Sequence, residues 1–304
     1  MFLYEKKKHK KDEHEYIEIT GFEGKTEKLV IPEKIDGIPV EAVGNHSFSS
    51  RNDITHVSIP ESVKILYGFA FHNCKNLKRI SLYDSLTDYY DGVCRQCDNL
   101  TAIDVTVNNS WYEVVRNFLA DSDRTLEFRL NIKTDLGYDE ARLTFPEFVY
   151  DFNENTMART IQFSIAGSGY AYRECVDRRS INYREYDRLF DKAEIDAGPL
   201  PQNISVGRIL FPKELAAGYR TAYETYITEH GESILKRLID DNDEEESLKI
   251  LKALLKYKTN DGAAVLKDRD VDEAIAYAVG KEKTLFSATL MDGGAGSAVM
   301  EFSL

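Results

Sequence analysis

The sequence predicts an α+β multidomain chain: a short solenoid of parallel β rungs, then a small mixed α/β linker region, then a C-terminal α-helical array of packed helix pairs. Three observations carry this prediction. Apolar residues recur at a fixed step of 23 between Phe48 and Val105. The period stops after "NLTAIDV", where strand-like alternation and then helical stripes take over. A chain of 304 residues, 42% hydrophobic and 30% charged, is also long enough for two or more compact units.

The N-terminus reads "MFLYEKKKHKKDEHEY", a basic run followed by acids with no apolar segment of a signal peptide. Residues 1–14 are therefore expected as a solvated basic tail, with an acidic surface or membrane as the less favoured contact for Lys6 to Lys11. No run reaches the roughly 18 to 20 apolar residues needed to span a bilayer, so a cytoplasmic protein without a membrane span is expected. The net charge of -13 argues against nucleic acid as a partner, since phosphate binding needs clustered Lys and Arg.

The repeats occupy residues 15–106. Val57, Ile80 and Ile103 lie 23 apart, as do Ile59, Leu82 and Val105, then Ile54, Leu77 and Leu100, then Phe48, Phe71 and Cys94. An earlier copy starts at Leu29, 28 before Val57, with the excess absorbed in "KIDGIP". Each copy is expected to supply a short strand whose inner positions are apolar and whose outer positions, Ser58, Ser81 and Asp104, face away. One rung cannot bury its apolar side alone, so the rungs stack.

The stretches "VSIPESV", "FAFHNCKNLKRISL" and "ITGFEGKTEKLVIPEKIDGIPV" resemble the BspA-like leucine-rich repeats of bacterial proteins, over about residues 16–105. The resemblance implies a stacked solenoid that presents a surface to a protein partner. The third copy departs from the pattern, with "LYDSLTDYYDGVCRQC" in place of the usual start.

Residues 107–125 are expected as a capping helix, because "NSWYEVVRNFLADS" spaces Trp111, Val114, Val115, Phe118 and Leu119 as one stripe. Trp111 is read as core. Residues 126–182 follow as a strand-containing linker domain: "LEFRLNIKT" alternates, and "ARLTFPEFVY" and "TIQFSIAGSGY" look like further strands. Residues 183–291 read as a helical array, from "YREYDRLFDKA" through "PKELAAGYRTAYETYITEH", "ESILKRLIDD", "EEESLKILKALLKYK" and "VDEAIAYAVGKEK". The helix pairs resemble ankyrin-type packing without its "TPLHxA" signature. Residues 292–304, rich in glycine, are expected as a flexible tail.

Candidate chemistry is sparse. Cys94 and Cys97 have the spacing of a metal or redox pair, but the repeat register puts both, with Cys74, on the packed side of the solenoid. "GSGY" at Gly167 lacks the rest of a phosphate loop and reads as a tight turn. The histidines show no zinc-protease spacing, and the acids from Asp240 to Glu246 match no calcium loop. No catalytic residue, metal ligand or cofactor is expected.

The reading that results is a protein-protein interaction or scaffolding module that is not an enzyme, with an unknown protein partner and an oligomeric state the sequence leaves open. Binding is expected on the outward face of the solenoid through His56, Ser58, Arg79, Ser81, Tyr83 and Asp104, and also on the helical array. Two alternatives stand beside it: a cell-surface adhesin, and an enzyme with a site in residues 145–190 where Glu147, Arg159, Tyr172 and Arg173 converge.

Overall fold

A computed structural model of the chain describes residues 1–10, 13–155, 160–196 and 198–294. It comprises two units, Met1–Leu189 and Phe190–Leu304.

The first unit begins with β1 (Phe2–Lys8), β2 (Glu15–Phe22), β3 (Lys28–Val30), β4 (Lys34–Ile35) and β5 (Ile38–Val43). It continues through β6 (His56–Ser58), β7 (Ile65–Leu66), β8 (Arg79–Tyr83), β9 (Asp88–Tyr89) and β10 (Ala102–Val107). Each rung gives one strand to each of two sheets. One sheet runs β1-β2-β5-β7-β9 with β4 on β5, and the other begins β3-β6-β8-β10. The 23-residue period is the strand register itself: Val57 pairs Ile80, which pairs Ile103, all in parallel strands. Leu29 pairs Val57 across the longer step of 28, and the five extra residues make the hairpin in which Ile35 pairs Ile38.

Two backbone positions in each of three successive rungs adopt the left-handed region. His46, Phe69 and Gly92 have φ of 55°, 59° and 72°, and Ser50, Asn73 and Gln96 have 62°, 59° and 64°. Both series recur every 23 residues, so the corners of the solenoid repeat as faithfully as its strands. The turns carry their own ladder: Phe48 N–H donates to Ala70 O, and Phe71 N–H to Val93 O, each at 2.8 Å. Between the sheets, Phe48 and Phe71 stack at 5.4 Å with planes 6° apart.

Helix α1 (Glu113–Asp121) buries Val114, Val115, Phe118 and Leu119, the stripe read from the sequence. Its Phe118 meets Tyr89 edge-on at 5.2 Å, which covers the β9 end of one sheet. The other sheet does not end there. Strand β11 (Leu126–Thr134) pairs parallel with β10, and β12 (Gly137–Phe145) turns back antiparallel on β11. One buried row therefore runs Val57, Ile80, Ile103, Phe128 and Leu143, none more than 1% exposed. Burying each such side chain is worth about 1.5–3 kcal/mol, so the row is a principal source of this unit's stability.

These pairings revise three expectations. Residues 1–14 are not a solvated tail over their first part: Phe2–Lys8 is a strand on β2, and Lys7 reaches Glu18 at 2.5 Å. The boundary expected at residue 126 falls inside a continuous sheet, because the alternation of β11 matches the inner row of β10. Trp111 is half-buried rather than core, with the Arg179 guanidinium 5.2 Å from its ring.

Strands β13 (Val149–Asn155) and β14 (Thr160–Ala166) form an antiparallel pair, and α2 (Gly169–Arg173) and α3 (Tyr183–Arg188) complete the unit. The "GSGY" stretch turns out of β14 at Gly167, φ +89°, and opens α2 at Gly169. A Cβ on Gly169 would collide with the Pro146 carbonyl, which explains a glycine there.

The second unit is helical: α4 (Phe190–Asp196), α5 (Leu200–Leu210), α6 (Ala217–Asp240), α7 (Glu244–Lys256), α8 (Asp268–Gly280) and α9 (Thr284–Gly294). The two segments read as separate helices meet within α6 at a kink, where His230 leaves helical geometry at φ -112° and ψ 17°. The next residue, Gly231, lets α8 approach: a Cβ there would lie 2.7 Å from Asp270 Oδ2. The acids before α7 act as a cap, with the Asp243 carboxylate accepting from Glu246 N–H at 3.2 Å. Residues 295–304, most of the tail expected from the glycines, lie outside the described residues.

Candidate functional site

The outward positions of β6, β8 and β10 align as the sequence predicts. His56 pairs Arg79, which pairs Ala102; Ser58 pairs Ser81, which pairs Asp104; Tyr83 pairs Thr106. The extra strands extend these rows. Ala102 is followed by Glu127 and Thr144, Asp104 by Arg129 and Arg142, and Thr106 by Asn131 and Glu140.

The charges on this face hold one another. Arg79 Nη1 donates to both Asp104 oxygens at 2.9 and 3.1 Å, and Ser81 Oγ donates to the same carboxylate at 3.0 Å. Arg129 Nε meets Glu127 at 2.8 Å, and Arg142 Nε meets Glu140 at 2.7 Å. The arginines are 18%, 18% and 11% exposed, so each stem lies along the sheet and only part of each guanidinium faces out. Arg79 and Asp104 are thus a joined pair rather than two independent charges. Ala102 is buried, because the longer Arg79 and Glu127 flank it on both sides. His56 Nδ1 lies 2.9 Å from Thr55 Oγ1, and Ser58 is exposed.

Arg129, Arg142, Glu127 and Glu140 escaped the sequence reading. Their signal was present: Phe128, Leu130 and Ile132 follow Ile103, Val105 and Val107 at a constant step of 25, two longer than the period.

The cysteines lie on the packed side. Cys97 Sγ donates to Phe71 O at 3.0 Å, repeating Cys74 Sγ to Phe48 O at 3.1 Å one rung earlier. Burial pushes the Cys94 thiol well above its ordinary pKa. All three thiols are buried. A cavity of about 650 Å³ lies between the 94–100 turn, α1 and α2, with Phe148, Tyr170 and Arg173 on its wall. Arg173 does not act as a free cation there. Its guanidinium donates to the carbonyls of Leu119, Ser122, Arg124, Pro146 and Gly169, fastening α1 to the 146–169 segment. Burial lowers its pKa to about 10, which leaves it charged at neutral pH. Of the group expected in residues 145–190, Tyr172 is fully buried and Glu147 exposed, and Arg159 lies outside the described residues. Among the described residues, His9, His14 and Glu41 form the one group arranged to hold a metal ion.

Compared with known families, residues 11–124 match the BspA type leucine rich repeat region in six copies. The first third of the chain is a BspA-type leucine-rich repeat region. The match extends beyond Val105 through α1, so the helix belongs to the repeat region's last turn. Three solved structures are similar to part of this chain. A leucine rich cell surface protein of Faecalibacterium prausnitzii A2-165 is 21% identical, over 36% of this chain and 37% of its own, at a TM-score of 0.29. The T. pallidum leucine rich repeat protein is 21% identical, over 34% of this chain and 68% of its own, at 0.24. A leucine-rich repeat protein of Bacteroides ovatus ATCC 8483 is 14% identical, over 36% and 48%, at 0.21. The chain thus spans 37% of the length of the first of these. No curated protein matches it. Repeat regions of this kind are typically interaction or surface modules. No helix among the described residues is long and apolar enough to cross a membrane.

Proposed function

We propose that the chain is a protein-binding module whose repeat region engages a protein partner across the outward face of the sheet that runs from β3 to β12. The supporting observation is the set of three arginine–carboxylate pairs spread over β8, β10, β11 and β12, at 2.7–2.9 Å, with each arginine stem lying along the sheet. A rigid polar face loses little conformational entropy when a partner docks, and alternating charge selects the partner's pattern. His56, Ser58, Arg79, Ser81, Tyr83 and Asp104 form one side of this face, and Arg129, Asn131 and Glu140 extend it.

The proposal includes a cytoplasmic location, supported by four buried cysteines that are all free thiols. Protease treatment of intact cells checks this: a chain digested from outside belongs on the surface and favours an adhesin. The binding reading is tested by affinity capture from native lysate with wild type, Arg79→Ala and Arg129→Ala. A partner retained by wild type and lost from both variants, each still folded, supports it. Equal capture by all three rejects it.

A further inference from the structure

The hairpin between β1 and β2 brings two histidines together. His9 follows β1 and His14 precedes β2, and the turn closes through His9 N–H to His14 O and Glu13 N–H to His9 O, each at 3.0 Å. The two imidazoles stack with centroids 4.3 Å apart and planes 29° apart, and Tyr16, itself buried, lies 4.6 Å from the His9 ring. Both rings aim at Glu41 of β5. His9 Nε2 is 2.9 Å from Oε2, and His14 Nε2 is 3.0 Å from Oε1. Glu41 is 15% exposed, and its own carbonyl accepts from Lys64 N–H at 2.8 Å, which fixes the strand beneath.

We propose that His9, His14 and Glu41 bind one divalent transition-metal ion of the zinc type, clipping the hairpin to β5. The donor set decides the class of ion: two imidazole nitrogens and one carboxylate oxygen suit zinc and its neighbours, whereas calcium and magnesium take oxygen donors. The spacing fits as well. All three donor atoms lie within 4.8 Å of one another, and the nitrogen–oxygen separations approach the ~3.3 Å edge of a tetrahedron with bonds of ~2.0–2.1 Å. On binding, each imidazole carries its proton on Nδ1 and presents the Nε2 lone pair to the ion. His9 and His14 are 37% and 44% exposed, so a fourth position is open to water or to a donor from another molecule. Two lysines of β1 have carboxylate partners of their own: Lys7 is held by Glu18 at 2.5 Å and Lys8 by Glu15 at 3.4 Å.

The test is titration of the full chain with Zn2+ against a chelator of known affinity, with Co2+ as a spectroscopic substitute. The expected result is one equivalent bound, untouched by excess Mg2+. Losing a partner behind a metal ligand costs about 10–100-fold in affinity, so His9→Ala or His14→Ala, each losing a ligand itself, should exceed that loss. The Co2+ complex should show ligand-field bands without a thiolate charge-transfer band. Glu41→Gln, which preserves shape, gives the same readout should a histidine variant lose its fold. Zn2+ binding that survives in the His9→Ala/His14→Ala double variant overturns the proposal, as does a thiolate band marking the cysteines or no binding by wild type.

Discussion

The carboxylate of Asp121 stands to Cys94 as one more rung of the solenoid would. It accepts from Cys94 N–H at 3.0 Å, from Gly92 N–H at 3.2 Å and from the Tyr89 hydroxyl at 2.6 Å. One rung earlier, the equivalent N–H groups of Phe69 and Phe71 donate to the carbonyls of Asp91 and Val93. A single side chain at the end of α1 thus satisfies the donors that the last turn would otherwise leave bare.

Removing it should be costly. An unsatisfied buried donor costs about 1–3 kcal/mol, so Asp121→Ala should lower the stability of the repeat unit by about 2–4 kcal/mol. Asp121→Asn, which keeps one acceptor oxygen, should lose less. Trp111, the chain's single tryptophan, lies close to α1 in sequence and reports the transition by fluorescence in a urea titration.

The left-handed corners make a second expectation. Gln96 is exposed at φ 64°, where a non-glycine residue costs about 1–2 kcal/mol. Gln96→Gly relieves that strain but loosens the unfolded chain by about 0.5–1 kcal/mol. Its net effect should be a gain of up to about 1.5 kcal/mol, while Gln96→Val, β-branched, should be destabilising. Melting curves of the two variants against wild type decide the sign.

Acid sensitivity should centre on Asp53. The Arg51 guanidinium, through Nε and Nη2 at 2.8 and 2.7 Å, holds its carboxyl far below the usual range, aided by Thr26 N–H at 2.9 Å. A group whose folded pKa is depressed stabilises fully above its unfolded pKa of about 4 and loses that contribution as pH falls toward the folded value. The stability gap between wild type and Asp53→Asn should therefore be widest near neutral pH and narrow progressively below about pH 4, as read from denaturation at a series of pH values.

Arg79 and Asp104 should behave as a unit. Either alanine variant alone is expected to cost about 0.5–1 kcal/mol, the range of a partly exposed pair. The exchange Arg79→Asp with Asp104→Arg can re-form the pair and should recover part of that loss. A double-mutant cycle that finds no coupling contradicts the pairing.

Much of the repeat region was legible because its period is also its hydrogen-bond register: Val57, Ile80 and Ile103 had to be neighbours once the rungs stacked. The extension through Phe128 and Leu143 was not, since alternation marks a strand without naming its neighbour, and α1 lengthened the step. Helix α5 was hidden by Pro201 and Gly207 within it. The His9–His14–Glu41 group joins residues 27 and 32 apart in sequence, and only the pairing of β2 with β5 brings them together. Ser58, Ser81 and Asp104 were readable as one row, but not that Asp104 is shared by Arg79 and Ser81.

The most direct test of the binding face is site-specific photo-crosslinking in native cells from a benzoylphenylalanine placed at Ser58, on the face, and at Leu285, an exposed position of α9. A discrete adduct is expected from Ser58 that disappears when Arg79→Ala is added, and none of the same mass from Leu285. The same adduct from both positions, or one from Leu285 alone, would contradict it.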